Sequence, residues 1–203
     1  MASSPDRTTR PLAFVDEIEE RPGPFTFAVD EQGGLLRLQF LDGDYPERIE
    51  QAMERRGYRP SRNPGRTAEA RAQLLAYCRG ERRDFALPVR LRGTAWQRAV
   101  WAEVSAIPFG ETRTYGELAD ALGRPRAARA VGRANATNPV CVVVPCHRVV
   151  GADGGLTGYE GGILLKARLL EHEARVRRTG WAGEAAATTA SDPAAGGASP
   201  ALS

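Results

Sequence analysis

The stretch "VVVPCHRVV", residues 142–150, places a cysteine beside one of only two histidines in the chain. A thiolate at Cys146 would be a nucleophile, but an ordinary thiol, with a pKa of about 8.5, is mostly protonated at neutral pH. The imidazole of His147 can take that proton, and a carboxylate behind it can hold its tautomer. Glu171 and Glu173 are both candidates for this carboxylate. The pattern therefore favours nucleophilic chemistry at sulfur.

The segments around the pair indicate how it is positioned. The apolar run before Pro145 predicts a buried strand, which would place Cys146 at a strand terminus, where functional groups tend to be displayed. Asn138-Pro139 predicts a rigid turn at the entry of that strand, and the glycine-rich loop 151–162 suits close approach of the backbone to a ligand. Adjacent side chains of a strand point in opposite directions. The cysteine and the histidine therefore either lie on a turn or communicate through a bridging water.

The first ninety residues predict a small mixed unit. Alternating apolar residues predict three strands, and "DEQGG" between the last two is a hairpin turn signal. Helical patterns follow on both sides of the loop "YRPSRNPG", and the polar, extended segment 81–93 predicts a linker into a second unit near residue 90. The predicted strands are 12–19, 24–30 and 34–40, and the predicted helices are 46–57 and 67–79.

The second unit begins with helical patterns. Thr94 can cap the first helix, and Thr114 with Glu117 three residues later forms a capping-box pattern for the next. Gly123 is expected to end that helix, and Pro125 suits the first position of another. Two short helices joined by about three residues with a glycine are the outline of a helix-turn-helix, which many helical hairpins share.

The end of the chain predicts an amphipathic helix over 163–178 and then a low-complexity, disordered tail. The hydrophobic fraction of 42% and the charged fraction of 26% are typical of a soluble globular protein. No apolar run approaches the ~18 residues of a membrane span, and the N-terminus carries acids where a signal peptide would be apolar. We therefore expect a cytoplasmic protein without a membrane partner.

The cysteine count and the net charge limit the kinds of site that the chain can form. Three cysteines do not make a disulfide framework, and without a CxxC pair we expect no metal and no cofactor. A net charge of +3 and a pI near 9.0 permit nucleic-acid binding without demonstrating it. Lys166 is the only lysine among the 28 basic residues.

Several motifs in order and spacing resemble one known family. "PCHRVV", preceded by "NPV" and followed by "GYEGG", a lysine and "LLEHE", is similar to the cysteine region of the O6-alkylguanine-DNA alkyltransferases, also called methylated-DNA–protein-cysteine methyltransferases. "IPFGETRTYGELADALGRPRAARAVGRANATNP" matches equally well, so the resemblance covers about 93–176 and extends weakly to the N-terminal strands.

The resemblance implies an α/β fold in two domains. Residues 1–90 would form a small ribonuclease-H-like mixed domain, and 91–178 a helical winged-helix (helix-turn-helix) domain that binds DNA and carries the active site. Residues 179–203 would be a disordered tail. Metal-binding members of the family cannot be matched, because the histidines are missing.

The resemblance also implies roles in the reaction. Cys146 would be the nucleophile and His147 its water-relayed base. Glu173 would orient the histidine, and Asn138 would hold the turn that carries the cysteine loop. The thioether formed on sulfur has no hydrolytic exit, so each molecule would act once.

Further roles concern the substrate, a base flipped out of double-stranded DNA. The hydroxyl of Tyr115 and the backbone carbonyls of Cys146 and Val149 would hold the guanine, under a loop that contains Tyr159 and Glu160. Glu160 stands where the family commonly has a smaller residue.

The helix "AARAVGRANA" would enter the minor groove, as its small residues and single intruding arginine suit. Arg129 would fill the hole left by the flipped base, and Arg133 adds bulk there or contacts phosphate. The predicted DNA-contacting residues are Ala127, Ala128, Arg129, Gly132 and Arg133.

The function implied is DNA repair by irreversible transfer of an alkyl group from O6-alkylguanine to Cys146, in a monomer. O4-alkylthymine and the preference among alkyl groups are left open. Two alternatives are a non-catalytic alkylguanine-binding relative, although such relatives lack the cysteine, and a winged-helix regulator or redox sensor that uses Cys141 and Cys146.

Overall fold

A four-stranded sheet forms the N-terminal part of the molecule. The computed structural model describes residues 9–42, 47–159 and 161–179. Three strands form an antiparallel meander in which β2 pairs with both β1 and β3, and the short β4 adds parallel to β1. The strands are β1 Leu12–Ile18, β2 Phe25–Val29, β3 Leu35–Phe40 and β4 Arg59–Ser61. The three strands predicted from sequence are confirmed to within two residues at each end.

The hairpin between β2 and β3 has the turn that its sequence predicts. The carboxylate of Asp30 accepts hydrogen bonds from the backbone N–H of Gln32 at 3.0 Å and of Gly34 at 2.7 Å. Gly33, between them, has a φ of 76°, which glycine adopts without steric cost. The turn therefore fixes the register of the two strands.

Two helices flank this sheet. They are α1 Ile49–Arg55 and α2 Pro64–Arg79. Helix α2 begins a turn earlier than predicted, because the Asn63 side chain accepts hydrogen bonds from the N–H groups of Gly65 and Arg66 and the proline suits the first position. The predicted loop before it contains β4, whose pairing with a distant strand leaves no local signal.

Helices dominate the rest of the chain. They are α3 Ala95–Ser105, α4 Tyr115–Ala121, α5 Ala128–Ala136 and α6 Ile163–Thr179, with a two-residue parallel pair, β5 Arg113–Thr114 and β6 Val149–Val150. The caps predicted at Thr94 and Thr114 are confirmed as complete capping boxes. Helix α5 starts at Ala128 and not at Pro125, because Pro125 and Arg126 form a turn and Ala127 caps the helix.

The strand predicted before Pro145 is wrong. Residues 141–144 form a turn, in which Val144 N donates to Val140 O at 3.0 Å, and only Val140 bridges to Leu38 of β3. Val142 has a φ of 71°, which is a strained conformation for a β-branched residue. The β propensity of the valines is thus overridden by tertiary contacts.

One hydrophobic cluster joins the sheet to the C-terminal helices. Phe27 and Leu38 of the sheet belong to the same buried cluster as Trp101 of α3 and Leu169 of α6. A backbone hydrogen bond crosses between the two parts, from Leu38 N to Pro139 O at 2.9 Å. The mixed α/β architecture, a sheet followed by helices, confirms the predicted fold class. The tail predicted to be disordered, 179–203, lies outside the described residues except for its first residue.

Candidate active site

The turn that carries the cysteine is held by a single buried amide. Asn138 Nδ2 donates to Val144 O at 2.7 Å, and its Oδ1 accepts from Val140 N at 3.1 Å. Both ends of the turn are therefore tied to one side chain. A buried amide with both of its polar atoms satisfied resists rotation, so it fixes the entry to Pro145 and Cys146.

Cys146 opens a single 3₁₀ turn that extends to Arg148. Its side chain is 5% exposed, and its carbonyl accepts a hydrogen bond from Asn135 Nδ2 of α5 at 3.2 Å. Because the cysteine and histidine lie on a turn, the first of the two arrangements expected from sequence is the one the structure adopts. The helix that would face DNA thereby contacts the backbone of the cysteine directly.

His147 is completely buried and contacts a carboxylate of α6. Its Nε2 lies 2.8 Å from Glu173 Oε1. An ionised carboxylate only accepts hydrogen bonds, so Nε2 carries the proton and Nδ1 is the basic nitrogen. Within the described part of the chain, Nδ1 has no hydrogen-bond partner. Burial lowers the pKa of His147 below 6.5, although the neighbouring Glu173 opposes this, so the imidazole is a neutral base at neutral pH.

Glu173 is the centre of a dense network of donors. Arg148 donates from Nε to Oε2 at 3.0 Å and from Nη2 to Oε1 at 2.9 Å, while Gly110 N donates to Oε2 at 2.7 Å. Burial alone would raise the pKa of Glu173, but the hydrogen bonds and charges of His147 and Arg148 lower it to about 2. Glu171 is exposed on the same helix, so the carboxylate behind the histidine is Glu173.

A further donor reaches this carboxylate from the N-terminal part of the molecule. Tyr77 of α2 donates its hydroxyl to Glu173 Oε1 at 3.0 Å. Burial, and next the charge of Glu173, raise the pKa of Tyr77 well above 10, so the phenol stays a neutral donor. Tyr77 gave no sequence signal as a site residue. Arg148 could have been found from its place directly after the Cys-His pair.

The pocket beside the cysteine is closed in this structure. A cavity of about 10 Å³, room for roughly one water, lies between Cys146, Asn135 and the loop around Tyr159. The hydroxyl of Tyr115 donates to Thr157 O at 3.1 Å, within that loop. Burial raises the pKa of Tyr115, which keeps the phenol protonated. Glu160, predicted at the rim, lies outside the described residues.

Lys166 of α6 ties the loop to the floor of the pocket. Its ammonium donates to Val149 O and, at 3.0 Å, to Thr157 O, and it lies 5.8 Å from the centre of the Tyr115 ring. Burial lowers the pKa of Lys166 to about 8, and Cys146 nearby counteracts this. Its burial was not predicted, although a single lysine among 27 arginines is a usable signal. The Val149 carbonyl predicted to read the base is thus already engaged.

Helix α5 presents two arginines to solvent. Arg129 and Arg133 are exposed and four residues apart, hence on one face of the helix. A Cβ added to Gly132 would lie 3.7 Å from the Tyr115 ring, so the helix packs closely on the pocket at this glycine. Ala127 and Ala128 are half-buried at the helix start. The structure therefore places the predicted DNA-contacting residues on one element beside the pocket.

The other two thiols are buried, and Cys141 also lines the small cavity beside Cys146. Cys141 Sγ donates to Leu38 O at 3.1 Å, and burial raises the pKa of Cys78 to about 12. A thiol with that pKa is protonated at neutral pH and is a poor nucleophile. Across residues 9–42, 47–159 and 161–179, no three His, Cys, Asp or Glu side chains are grouped as a metal site, and no helix is both long and apolar enough to cross a bilayer.

Comparisons with known proteins agree on one chemistry. Residues 95–175 match the family model of the 6-O-methylguanine DNA methyltransferase DNA-binding domain. A Mycolicibacterium paratuberculosis protein named methylated-DNA–protein-cysteine methyltransferase is 49% identical over 152 residues, which are 72% of this chain and 90% of the relative. A Mycobacterium bovis protein of the same name is 54% identical over 121 residues, 57% of this chain and 73% of the relative.

Solved structures give the same result. The crystal structure of Mycobacterium tuberculosis O6-methylguanine methyltransferase matches with a TM-score of 0.69 and 43% identity, over 81% of this chain and 94% of that one. A crystal structure of Mycobacterium tuberculosis OGT in complex with DNA matches with a TM-score of 0.70 and 43% identity, over 80% and 94%.

Proposed function

The chain belongs to the methylated-DNA–protein-cysteine methyltransferase family, and from this membership we propose that Cys146 is the acceptor of the alkyl group. The protein repairs DNA by direct reversal, transferring the alkyl group of O6-alkylguanine to one of its own cysteines. The observation that carries the assignment of Cys146 is the buried network behind it, in which His147 is backed by Glu173 at 2.8 Å.

The proposed reaction is a displacement at the alkyl carbon. The Cys146 thiol gives its proton, through a water, to Nδ1 of His147, and the thiolate attacks the carbon. The bond between carbon and O6 breaks, its electron pair stays on the guanine, and the base takes up the proton that the imidazolium of His147 returns through water. Glu173 stabilises the imidazolium while that proton is held. The thioether is not hydrolysed, so the acceptor is used once.

The base reaches the pocket by leaving the duplex. A duplex hides O6, so we propose that the nucleotide is flipped, at a cost of a few kcal/mol. Helix α5 lies in the minor groove in this proposal, because its face is made of small residues, and Arg129 fills the vacated stack. Ala127, Ala128 and Gly132 allow the close approach, and Arg133 contacts phosphate.

The flipped guanine is held by groups around the closed cavity. Tyr115 exchanges its hydrogen bond to Thr157 for one to the base, and the carbonyls of Cys146 and Val149 use their second lone pairs for the exocyclic amine. Tyr159 covers the base, and Glu160 is proposed at the rim. Asn138 keeps the turn below in register.

The remaining parts of the proposal concern organisation. Residues 1–90 form the N-terminal domain and 91–178 the DNA-binding domain. The protein acts as a monomer on double-stranded DNA in the cytoplasm, without a metal or other cofactor.

Intact-protein mass spectrometry tests this function. With excess duplex containing O6-methylguanine, one methyl group should replace one hydrogen per protein, and peptide mapping should place it on Cys146. Cys146→Ser should abolish uptake, and Cys141→Ser should retain most of it. Sustained turnover, or a methyl group on Cys78 or Cys141, would refute the assignment.

A further inference from the structure

The carboxylate behind the histidine receives a hydrogen bond from the N-terminal part of the molecule, whose described residues contribute no other hydrogen bond to Glu173. Glu173 Oε1 accepts from His147, Arg148 and Tyr77 at 2.8, 2.9 and 3.0 Å. His147 and Arg148 lie on the cysteine turn, but Tyr77 lies on α2, which packs against the sheet. The phenol is 1% exposed and its ring is enclosed by Phe85, Phe109 and His172.

We propose that Tyr77 is a positioning residue that acts through Glu173: its hydroxyl takes up part of the carboxylate charge and so limits how strongly Glu173 favours a protonated His147. This inference rests on the proposed relay. It assigns to the N-terminal domain a direct influence on the reactivity of the thiol.

The other hydrogen-bond donors to Glu173 explain why Tyr77 controls the charge of this carboxylate and not its orientation. Without the phenol, Arg148 still binds both oxygens of Glu173 and Gly110 N still binds Oε2. The carboxylate therefore keeps its orientation. A donor removed from an ionised carboxylate leaves more negative charge on the oxygen that remains, and a nearby cation is then favoured. The cation that forms at Oε1 during the reaction is the imidazolium of His147.

The other charged and titratable groups around the relay are fixed by their own partners. Lys166 donates to backbone carbonyls, and His172 contacts the Tyr77 carbonyl through Nε2 at 2.9 Å and Arg175 through Nδ1 at 3.1 Å. Cys78 stays protonated because burial raises its pKa to about 12. Together with Cys146 and Arg148, these are the groups that face the relay from α2, α6 and the cysteine turn, and Tyr77→Phe changes none of them.

The experiment measures the rate of Cys146 modification by iodoacetamide against pH, read by peptide mapping. Tyr77→Phe keeps the ring and should move the profile to lower pH by about half a unit to one unit, a gain of roughly three- to tenfold where the thiol is still protonated. Tyr58→Phe, which removes a phenol from the separate cluster under α1, is the matched control and should leave the profile unchanged. A profile of Tyr77→Phe that overlays wild type, or moves upward, overturns the inference.

A double variant separates action through Glu173 from a general structural effect. In a Glu173→Gln background, Tyr77→Phe should add no further shift, because the charge that it modulates is gone. An equal downward shift in both backgrounds would contradict action through Glu173. Modification of the thiol by iodoacetamide does not require the transfer of an alkyl group from DNA. A protein that fails to take methyl from DNA but shows these shifts would refute the proposed function and leave this inference standing.

Discussion

At the scale of single residues, the site is organised around a buried charge. Glu173 is completely buried, and Arg148 and His147 meet it with short hydrogen bonds. A buried ion pair is costly to break by removing one partner, because the other charge is left without compensation. In the proposed reaction the same carboxylate would serve both the fold and the chemistry, so its loss should lower both stability and reactivity.

Glu173→Gln should move the reactivity of Cys146 to higher pH. The amide keeps the size of the side chain but no longer favours the imidazolium, and we expect an upward shift of about one pH unit or more. Rates with free O6-benzylguanine, measured against pH, check this. His147→Ala should shift the profile further. Glu171→Gln, on the exposed side of the same helix, is the control, and a Glu173→Gln curve that coincides with it would remove Glu173 from the relay.

Local sequence motifs identify the site residues that lie near the cysteine in the chain. Asn138, Cys146 and His147 form one local motif. The residue types alone leave Glu171 and Glu173 as alternatives, the family resemblance selects Glu173, and Glu171 is exposed in the structure. Tyr77 could not be found in this way. Its role depends on α2 packing against α6, and a tyrosine in a helix has the same periodicity whether it packs in a core or donates to a site.

At the scale of elements, helix α6 connects two functions. Lys166 and Glu173 are seven residues apart, close to two helical turns, and thus lie on the same face. One secures the pocket loop and the other backs the histidine. A displacement of α6 would change both together.

The strand predicted before Pro145 is wrong because tertiary contacts, and not local propensity, determine the backbone conformation there. The valines before Pro145 favour a strand, yet Asn138 binds both Val140 and Val144 and closes them into a turn. The helices with local caps, at Thr94 and Thr114, were predicted correctly because their signals lie within three residues. Caps are local, whereas the turn depends on a buried amide.

Arg129→Ala, on α5, should affect duplex DNA far more than a free base. If Arg129 fills the vacated stack, its loss removes what offsets unstacking, and a loss of about 1.4 kcal/mol is already tenfold in rate. The rate on free O6-benzylguanine should stay within about twofold of wild type. By the same relation, a twofold change in rate corresponds to only a few tenths of a kcal/mol in the activation free energy.

The control for this variant is Arg62→Ala, an exposed arginine paired with Glu17 in the N-terminal part. It should leave both rates unchanged. Equal losses on duplex and free base in Arg129→Ala would instead place Arg129 in the pocket or the fold.

At the scale of the whole molecule, the two parts share one hydrophobic cluster and the contact from Tyr77 to Glu173. Contacts that cross between the parts make it costly for either to unfold alone. We expect a single cooperative transition in urea. Tryptophan fluorescence and far-ultraviolet circular dichroism should report the same midpoint.

Leu38→Ala extends this test. Leu38 is buried in β3 and its backbone N–H donates to Pro139 O, so truncation should lower the free energy of unfolding by about 2–5 kcal/mol. Both probes should move together. Two separated transitions in either protein would show that the parts unfold independently.

Acid should destabilise the whole molecule in two stages. The pKa of His147 lies below 6.5 in the folded state, so stability falls as the unfolded chain takes up a proton near that pH. The pKa of Glu173 is lowered to about 2 from 4.5, so its contribution is complete above 4.5 and is lost as pH falls toward 2. That contribution is about 3 kcal/mol.

Urea midpoints at pH 7, 5 and 3 measure these stages. Glu171→Gln should follow wild type. Glu173→Gln should be less stable at pH 7 and lose less between pH 5 and pH 3. If Glu173→Gln loses as much stability as wild type between pH 5 and pH 3, the acid sensitivity belongs to other groups.

The small cavity beside Cys146 has a consequence for how long a molecule remains useful. A thiol that is spent in one reaction is wasted whenever it meets a stray electrophile or oxidant. With 5% of the cysteine exposed and the loop held by hydrogen bonds from Tyr115 and Lys166, we expect such reagents to reach the thiol only when the loop opens. If Cys146 is the acceptor, the frequency with which the loop opens would determine how long an unused molecule keeps its capacity for repair.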